Sequence, residues 1–495
     1  MTSVPVNTRT SLWIKRLLLI LAAAHFIAAL SVMLNHVSSP ATVTLSDSFQ
    51  MQYYLQFSQG AHRYYPRGEL RYVNDGYTPL ASNIYGWTIR LFGPDIRGVR
   101  AVAALFGLGA FALVGLCTYR LTNDRYYACI AAFLSASVDS KWYLDVGPNT
   151  LHVTFSLLGF YLLLRHPKPD TKTAVWAALA LFASFWTKQT GLAYMLAGAL
   201  YLFIVAPRQG AIATGVMVIL SFIGIVYYVR LPDSQFIYWV FEFNKHQPLI
   251  YARIWDVVFV QILTRKYVIL VALILLGLLT TVRHWRDLLK VEYIFIGAAA
   301  VAGTYANCKY GSGPSQLWFF YTLMVVLGVS FAARLAQSKV IPSYVAGILL
   351  SMQSLSLVED IRPLYINADD ESRYEQIMAT LSGPGRSSYY INRGYLSYLT
   401  GQRAYPMVSE DVWHNRVFSP EIFSPERLAY IQSNPWDIVI IDEPLEDGSF
   451  NLYQQIQKGF YRPIGEIPRA AKYANGYDIR WRKIIFQRSD PPPAP

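Results

Sequence analysis

The chain has 495 residues, of which 54% are hydrophobic and only 15% charged, with a mean hydropathy of +0.27 and a formal net charge of +12. A soluble domain carries about 25% charged residues, so this deficit excludes an ordinary water-soluble enzyme. Basic residues dispersed between apolar runs exclude a nucleic-acid-binding patch, and three cysteines without a C-x-x-C pair exclude a disulfide framework.

Residues 1–11 are a short lead, and residues 12–34 are the first apolar span, with Lys15 and Arg16 at its start. That run is longer than the roughly 7–15 apolar residues of a signal peptide and no A-x-A site follows it, so it reads as an anchor. Residues 35–96 form a long polar outer loop that contains Ser46-Asp47-Ser48-Phe49-Gln50 and Asn74-Asp75-Gly76-Tyr77-Thr78-Pro79-Leu80. The second stretch reads as a turn into an amphipathic interfacial helix ending near Phe92, with Tyr85 and Trp87 as belt residues. Further apolar spans fall at 98–119, 124–139, 149–164, 172–187, 190–206, 210–230, 266–283, 290–306, 314–334 and 340–358. The total is about eleven, each close to the ~20 residues that a bilayer requires.

With the N-terminus inside, the inner turns carry Arg120, Arg125, Arg165, Lys168, Lys172, Arg208, Arg283, Arg286, Lys290, Arg334 and Lys339, as the positive-inside rule asks. The same register puts the 35–96 loop, the Asp145–Asn149 turn, Lys188, the 231–265 segment and Lys309 on the outer side. An odd number of spans exports the C-terminal part as well. The expectation is a multi-pass protein of the cell inner membrane, with its C-terminal domain in the periplasm.

From about Asp360 the pattern changes. Strands are expected at 387–391, 437–442 and 477–487, and a helix capped by Asp369 or Asp370 running through Leu381. The fold class is thus a polytopic α-helical membrane domain over 1–359 and a small extracytoplasmic α/β domain over 360–488. Residues 489–495 are a Pro-rich end expected to be disordered.

No P-loop, G-x-G-x-x-G fingerprint, D-x-D motif or H-E-x-x-H signature is present. An outer site has no nucleotide-sugar pool to draw on. A sugar carried on a polyprenyl phosphate leaves with an anionic phosphate, so departure calls for cations or amide donors rather than an acid. The acceptor hydroxyl calls for one base. Asp47 fits the base; its alternatives are a solvated loop aspartate or a helix N-cap for Phe49 onward. Lys188 opposes the positive-inside bias, and its alternative is a snorkelling lysine. Lys309 precedes a Gly-rich turn whose amides suit a phosphate. Arg97 and Arg100 stand at the mouth of the second span, where arginines anchor to headgroups. Asn149 follows Pro148 at a helix start, and His152 reads as a hydrogen-bonded histidine of the bundle.

The ordered set of Asp47, Tyr77-Thr78-Pro79-Leu80, Leu91-Phe92-Gly93-Pro94, Arg100, the Trp142–Asn149 turn, Thr187-Lys188-Gln189-Thr190 and Lys309-Tyr310-Gly311-Ser312-Gly313 resembles the GT-C class of polytopic glycosyltransferases. This is the group of protein O-mannosyltransferases, the lipid A aminoarabinose transferase and their bacterial relatives. The resemblance covers about residues 12–330. It implies an extracytoplasmic site, a polyprenyl-phosphate sugar donor, a lipid, glycan or protein acceptor, and inversion at the anomeric carbon. It implies Asp47 as catalytic base, and Lys188, Arg100 and Lys309 toward the donor phosphate. Tyr77, Asp145, Asn149 and Gln189, in the outer turns of the same set, are the substrate-binding candidates.

There are two departures. Relatives often carry Asp-Glu where this chain has Asp47-Ser48, and Arg-x-Asp where it has Gly147-Pro148-Asn149. The residues point to no certain cofactor, and a divalent metal is left open. Two other classes compete with this reading. A transporter or lipid flippase calls for repeat symmetry and helices broken near the midplane, neither of which is legible here. A membrane scaffold would act through its outer tail.

Overall fold

Apolar stretches of this length become helices because lipid offers no water to satisfy an extended backbone. The computed structural model describes residues 8–42, 44–60, 64–65, 76–138, 144, 146–259, 266–309, 313–357, 364–383, 387–390, 394–401, 433, 436–443, 459–468 and 482–489. Each of the expected apolar spans is a helix. They are α1 (Thr8–Ser38), α4 (Ile96–Thr122), α5 (Arg125–Ser135), α6 (Asn149–Leu164), α7 (Thr171–Thr187), α8 (Gly191–Val205), α9 (Pro207–Val229), α12 (Val268–Thr281), α13 (Val291–Cys308), α14 (Trp318–Gln337) and α15 (Ser343–Ser356). Among the described residues four helical stretches, Leu12–Ser38, Ile96–Thr122, Pro207–Val229 and Ser315–Gln337, are long and apolar enough to cross a membrane. The chain is a multi-pass membrane protein.

The bundle is built around α14, whose residues from Trp318 to Ala333 are almost all buried. At the other extreme, α9 turns Val218, Ile219, Phe222 and Ile223 outward as a lipid-facing side. Small residues let helices approach closely. A Cβ on Gly277 of α12 would overlap Phe331 of α14, and one on Gly328 of α14 would overlap Leu270 of α12. The basic turns gather at one end. There the Tyr126 hydroxyl donates to the Lys15 carbonyl at 2.9 Å, and Arg334 donates to Leu121 O at 3.0 Å.

At the opposite end, the 35–96 stretch contains the expected helix ending at Phe92, α3 (Leu80–Phe92), and a further one that was not expected, α2 (Leu45–Ser58). Thr44 caps α2 and Asp47 completes a capping box, each satisfying a backbone N–H of the other. Tyr85 of α3 is fully buried, with its ring centroid 4.8 Å from that of Tyr54. It therefore is not a belt residue, whereas Trp87, Leu91 and Phe92 of α3 are exposed.

Short helical pieces α10 (Phe243–His246) and α11 (Ala252–Trp255) follow a π-helical turn at Tyr238–Glu242. The C-terminal part holds α16 (Ala368–Leu381), α17 (Gly394–Leu399) and strands β1 (Ser388–Tyr390), β2 (Ile438–Glu443), β3 (Tyr461–Ile467) and β4 (Arg482–Arg488). The sheet order is β1-β2-β4-β3, with β1 parallel to β2 and the other pairs antiparallel. Asn367 caps α16, and Asp370, expected at the cap, is the return partner three residues on. β3 was not expected. Pro463 and Gly465 weaken its strand signal, and it lies at the sheet edge with an irregular register between those two residues. Residues 490–495 of the Pro-rich end lie outside the described residues.

This C-terminal part sits on α2 and α3. Ile366, Ile377, Leu381, Tyr395 and Leu396 share one apolar cluster with Met51, Tyr54, Leu55, Tyr85 and Val99. Polar straps reinforce the contact. Asn35 bonds both the N–H and the carbonyl of Ile366 at 2.7 and 3.0 Å, and the Tyr395 hydroxyl donates to Pro94 O at 2.5 Å.

Candidate active site

Asp47 enters the site because the capping box fixes the first turn of α2. Its Oδ2 accepts a hydrogen bond from Arg100 Nη2 at 2.8 Å, and both side chains are 2–3% exposed. Arg100 lies one turn into α4 and uses all four of its terminal N–H groups inside the protein. Nη1 donates to His36 O at 3.2 Å and Ser39 O at 3.0 Å, and Nη2 donates to Ala41 O at 3.0 Å as well as to Asp47. Arg100 thus ties the end of α1, the α1–α2 connection and the carboxylate into one knot. Its burial rules out the headgroup anchoring that its position suggested. Arg97 stays exposed and pairs with Asp95 at 2.5 Å. Burial works against the Asp95 carboxylate, but the Arg97 hydrogen bonds outweigh it and hold the group below its ordinary range. Among the described residues Asp47 Oδ1 has no hydrogen-bond partner.

A second cluster forms where α6 starts and α7 ends. Lys188, the residue after α7, donates from Nζ to Asn149 Oδ1 at 2.5 Å and lies 5.7 Å from the Tyr77 ring centroid. It is 3% exposed, which is far from a snorkelling lysine. Asn149 sits in the first turn of α6, after Pro148. His152, one turn on, is held by Ser184 Oγ at 2.9 Å and Thr190 Oγ1 at 3.1 Å, a satisfied histidine of the bundle. Asp145 lies outside the described residues.

A third cluster surrounds Lys309, immediately after α13. Its Nζ donates to Asn244 O at 2.7 Å and lies 5.1 Å from the Tyr305 ring centroid. Burial pulls its ammonium below the ordinary lysine range. Residues 310–312 of the Gly-rich turn lie outside the described residues.

Hydrogen bonds join the three clusters. Tyr54 of α2 donates to Gln50 Oε1 at 3.0 Å and to Val146 O at 2.8 Å, which links the Asp47 helix to the turn before Asn149. Gly76 O, beside Tyr77, accepts from both Gln189 and Asn244, the latter at 2.9 Å. Gln189 also reaches Val240 O at 3.0 Å. Tyr77, Asn149, Lys188, Gln189 and Lys309 therefore belong to one contiguous polar end of the bundle, opposite the basic turns. Tyr54 and Asn244, which carry these links, were not singled out in the sequence. Asn244 left only one signal, its place in the polar tract Glu242–His246 between apolar spans.

No protein-family model matches the chain, and no curated protein sequence matches it. Solved structures do. ArnT from Cupriavidus metallidurans bound to undecaprenyl phosphate superposes with a TM-score of 0.55 at 12% identity, over 96% of this chain and 99% of that one. The apo state of the same protein gives 0.53 at 13% identity, over 96% and 98%. The fold is GT-C. The match spans nearly the whole of both chains.

Proposed function

We propose that the protein is a membrane glycosyltransferase that moves a sugar from a polyprenyl-phosphate donor to a hydroxyl of a lipid, glycan or protein acceptor on the extracytoplasmic side. One observation carries the reading: a buried carboxylate, a buried lysine and a half-buried one share one polar end of a GT-C bundle, joined by hydrogen bonds through Tyr54, Gly76 and Asn244. The undecaprenyl phosphate bound to ArnT supports a polyprenyl-phosphate carrier.

The acceptor oxygen attacks the anomeric carbon from the face opposite the phosphate. The bond to the phosphate oxygen breaks and its electron pair leaves with the phosphate, so the anomeric configuration inverts. The hydroxyl proton passes to Asp47 Oδ1, a step worth about 10²–10⁴ in rate for a well-placed base. Arg100 holds Oδ2 and so fixes the direction in which Oδ1 faces; its terminal N–H groups are committed to the protein and are not counted among the phosphate contacts. Lys188 and Lys309 supply positive charge to the departing phosphate, which needs no acid because it is already an anion. Tyr77, Asn149 and Gln189 line the approach to Lys188 as substrate contacts.

The test compares cell-envelope glycans and lipids by mass spectrometry in cells lacking the gene and in cells carrying wild type or Asp47→Asn. A glycosylated species should vanish in the deletion and in the variant, with the variant present in membranes at the wild-type level. Wild-type amounts of that species with Asp47→Asn would remove Asp47 as the base. Movement of a lipid-linked sugar across liposomes by purified protein, with no transfer, would replace the enzyme by a flippase.

A further inference from the structure

Residues 252–259 are helical, the first four as α11 and the rest as a π-helical continuation. One side of this short segment is fixed to the end of α13. Ile250 N–H donates to Cys308 O at 2.7 Å, Leu249 bridges Lys309, and Arg253 Nη1 donates to Asn307 O at 3.0 Å and Lys309 O at 2.8 Å. Val257 is fully buried on that side. The other side carries Tyr251, Ile254, Trp255 and Phe259, whose spacing of three, one and four places them on one helical face. All four are exposed, Tyr251 at 69% and Trp255 at 67%.

What lies below this face identifies its partner. Val301 and Tyr305 are on one side of α13 and both are exposed, so α13 presents an apolar flank to lipid. Tyr305 stands about 5 Å below the helix end, less than one turn from the carbonyls that Arg253 grips. The segment is therefore moored at the level where the lipid-facing flank of the bundle gives way to polar turns. Tyr and Trp concentrate at that level, with an apolar ring body in the acyl region and a polar atom among the headgroups. A protein partner would meet a face already continuous with lipid.

We propose that residues 251–259 form an interfacial anchor, with Tyr251, Ile254, Trp255 and Phe259 inserted at the headgroup–acyl boundary of the leaflet at the polar end. Through Arg253 and the Leu249 bridge, the anchor sets the depth of Lys309 and, through Asn244, that of the Gly76–Tyr77 turn. The anchor does not depend on the transfer reaction.

Spin labels test it directly. In a Cys129→Ser background the remaining Cys117 and Cys308 are buried, so single cysteines at Trp255→Cys, Phe259→Cys and Lys245→Cys can be labelled selectively. The full chain is placed in liposomes of phosphatidylethanolamine and phosphatidylglycerol, and collision with oxygen is compared with collision with a water-soluble nickel chelate. Labels at 255 and 259 should favour oxygen, and the label at exposed Lys245 should favour nickel. Nickel-dominated collision at both 255 and 259 would overturn the anchor. Tyr251→Cys is a second reporter at a mostly exposed position, where replacement removes no core packing, and it must give the same answer as 255.

Discussion

Replacing Arg100 by methionine keeps most of the side-chain volume and removes all four hydrogen bonds that its terminal nitrogens make around Asp47. Three backbone carbonyls, at His36, Ser39 and Ala41, lose a donor, and the Asp47 carboxylate loses its cation 2.8 Å away. With both partners 2–3% exposed, water cannot take over the lost bonds without opening the site. Breaking a buried pair from one side costs about 3–5 kcal/mol, most of it from the charge left behind. At about 1.4 kcal/mol per factor of ten, the opening equilibrium of this end should rise by roughly two to four powers of ten. Hydrogen exchange read by mass spectrometry on peptides covering 36–58 measures it, with peptides from α14 as an internal reference. The double variant Arg100→Met/Asp47→Asn gives the sharper outcome: removing the stranded charge should restore protection relative to Arg100→Met alone. If the second substitution instead deepens the loss, or Arg100→Met leaves exchange unchanged, the account of Arg100 as the group that holds Asp47 is refuted.

Three other outcomes are expected. Lys188→Met should weaken binding of undecaprenyl phosphate to the purified protein at least about tenfold by native mass spectrometry, the loss of one charge-assisted contact of about 1.5–3 kcal/mol, while Asp47→Asn retains binding. Burial lowers the pKa of Lys309 from 10.5, so between its folded value and 10.5 the unfolded chain binds more protons and stability rises with pH. The melting temperature in detergent should therefore climb across that alkaline window in wild type relative to Lys309→Gln, and parallel curves would discard the idea. Gly86→Ala would drive a methyl into Phe57 where α3 crosses α2. It should cost about 1–3 kcal/mol, seen as a lower melting temperature, with unchanged stability as the contrary result.

The helices were legible because a bilayer imposes a length and a polarity that hydropathy reads directly. The span expected at 149–164 is α6 to the residue, and the others differ at their ends by a few residues. α2 escaped because its faces carry Gln50, Gln52 and Gln56, and nothing local reveals that these are buried. α2 packs against α3 and against α17, which lies more than 300 residues further along the chain. Tyr85 was misread for the same reason: an aromatic on an amphipathic helix looks like a belt residue until Tyr54 is placed against it. Lys188 stood out as a cation on the wrong side of the charge pattern, and Asp47 as a carboxylate in the outer loop soon after the first span. Arg100 stood out too, but a single sequence cannot say that its donors are spent on carbonyls at 36, 39 and 41.

The two bonds between Asn35 and Ile366 join positions 331 apart in the chain. Chains emerge and fold from the N-terminus, so the roof over the Asp47 helix arrives after every span has been inserted. A nascent chain stalled anywhere before it has its bundle but lacks the closing piece. The order of synthesis itself then keeps a half-made molecule from presenting a finished site.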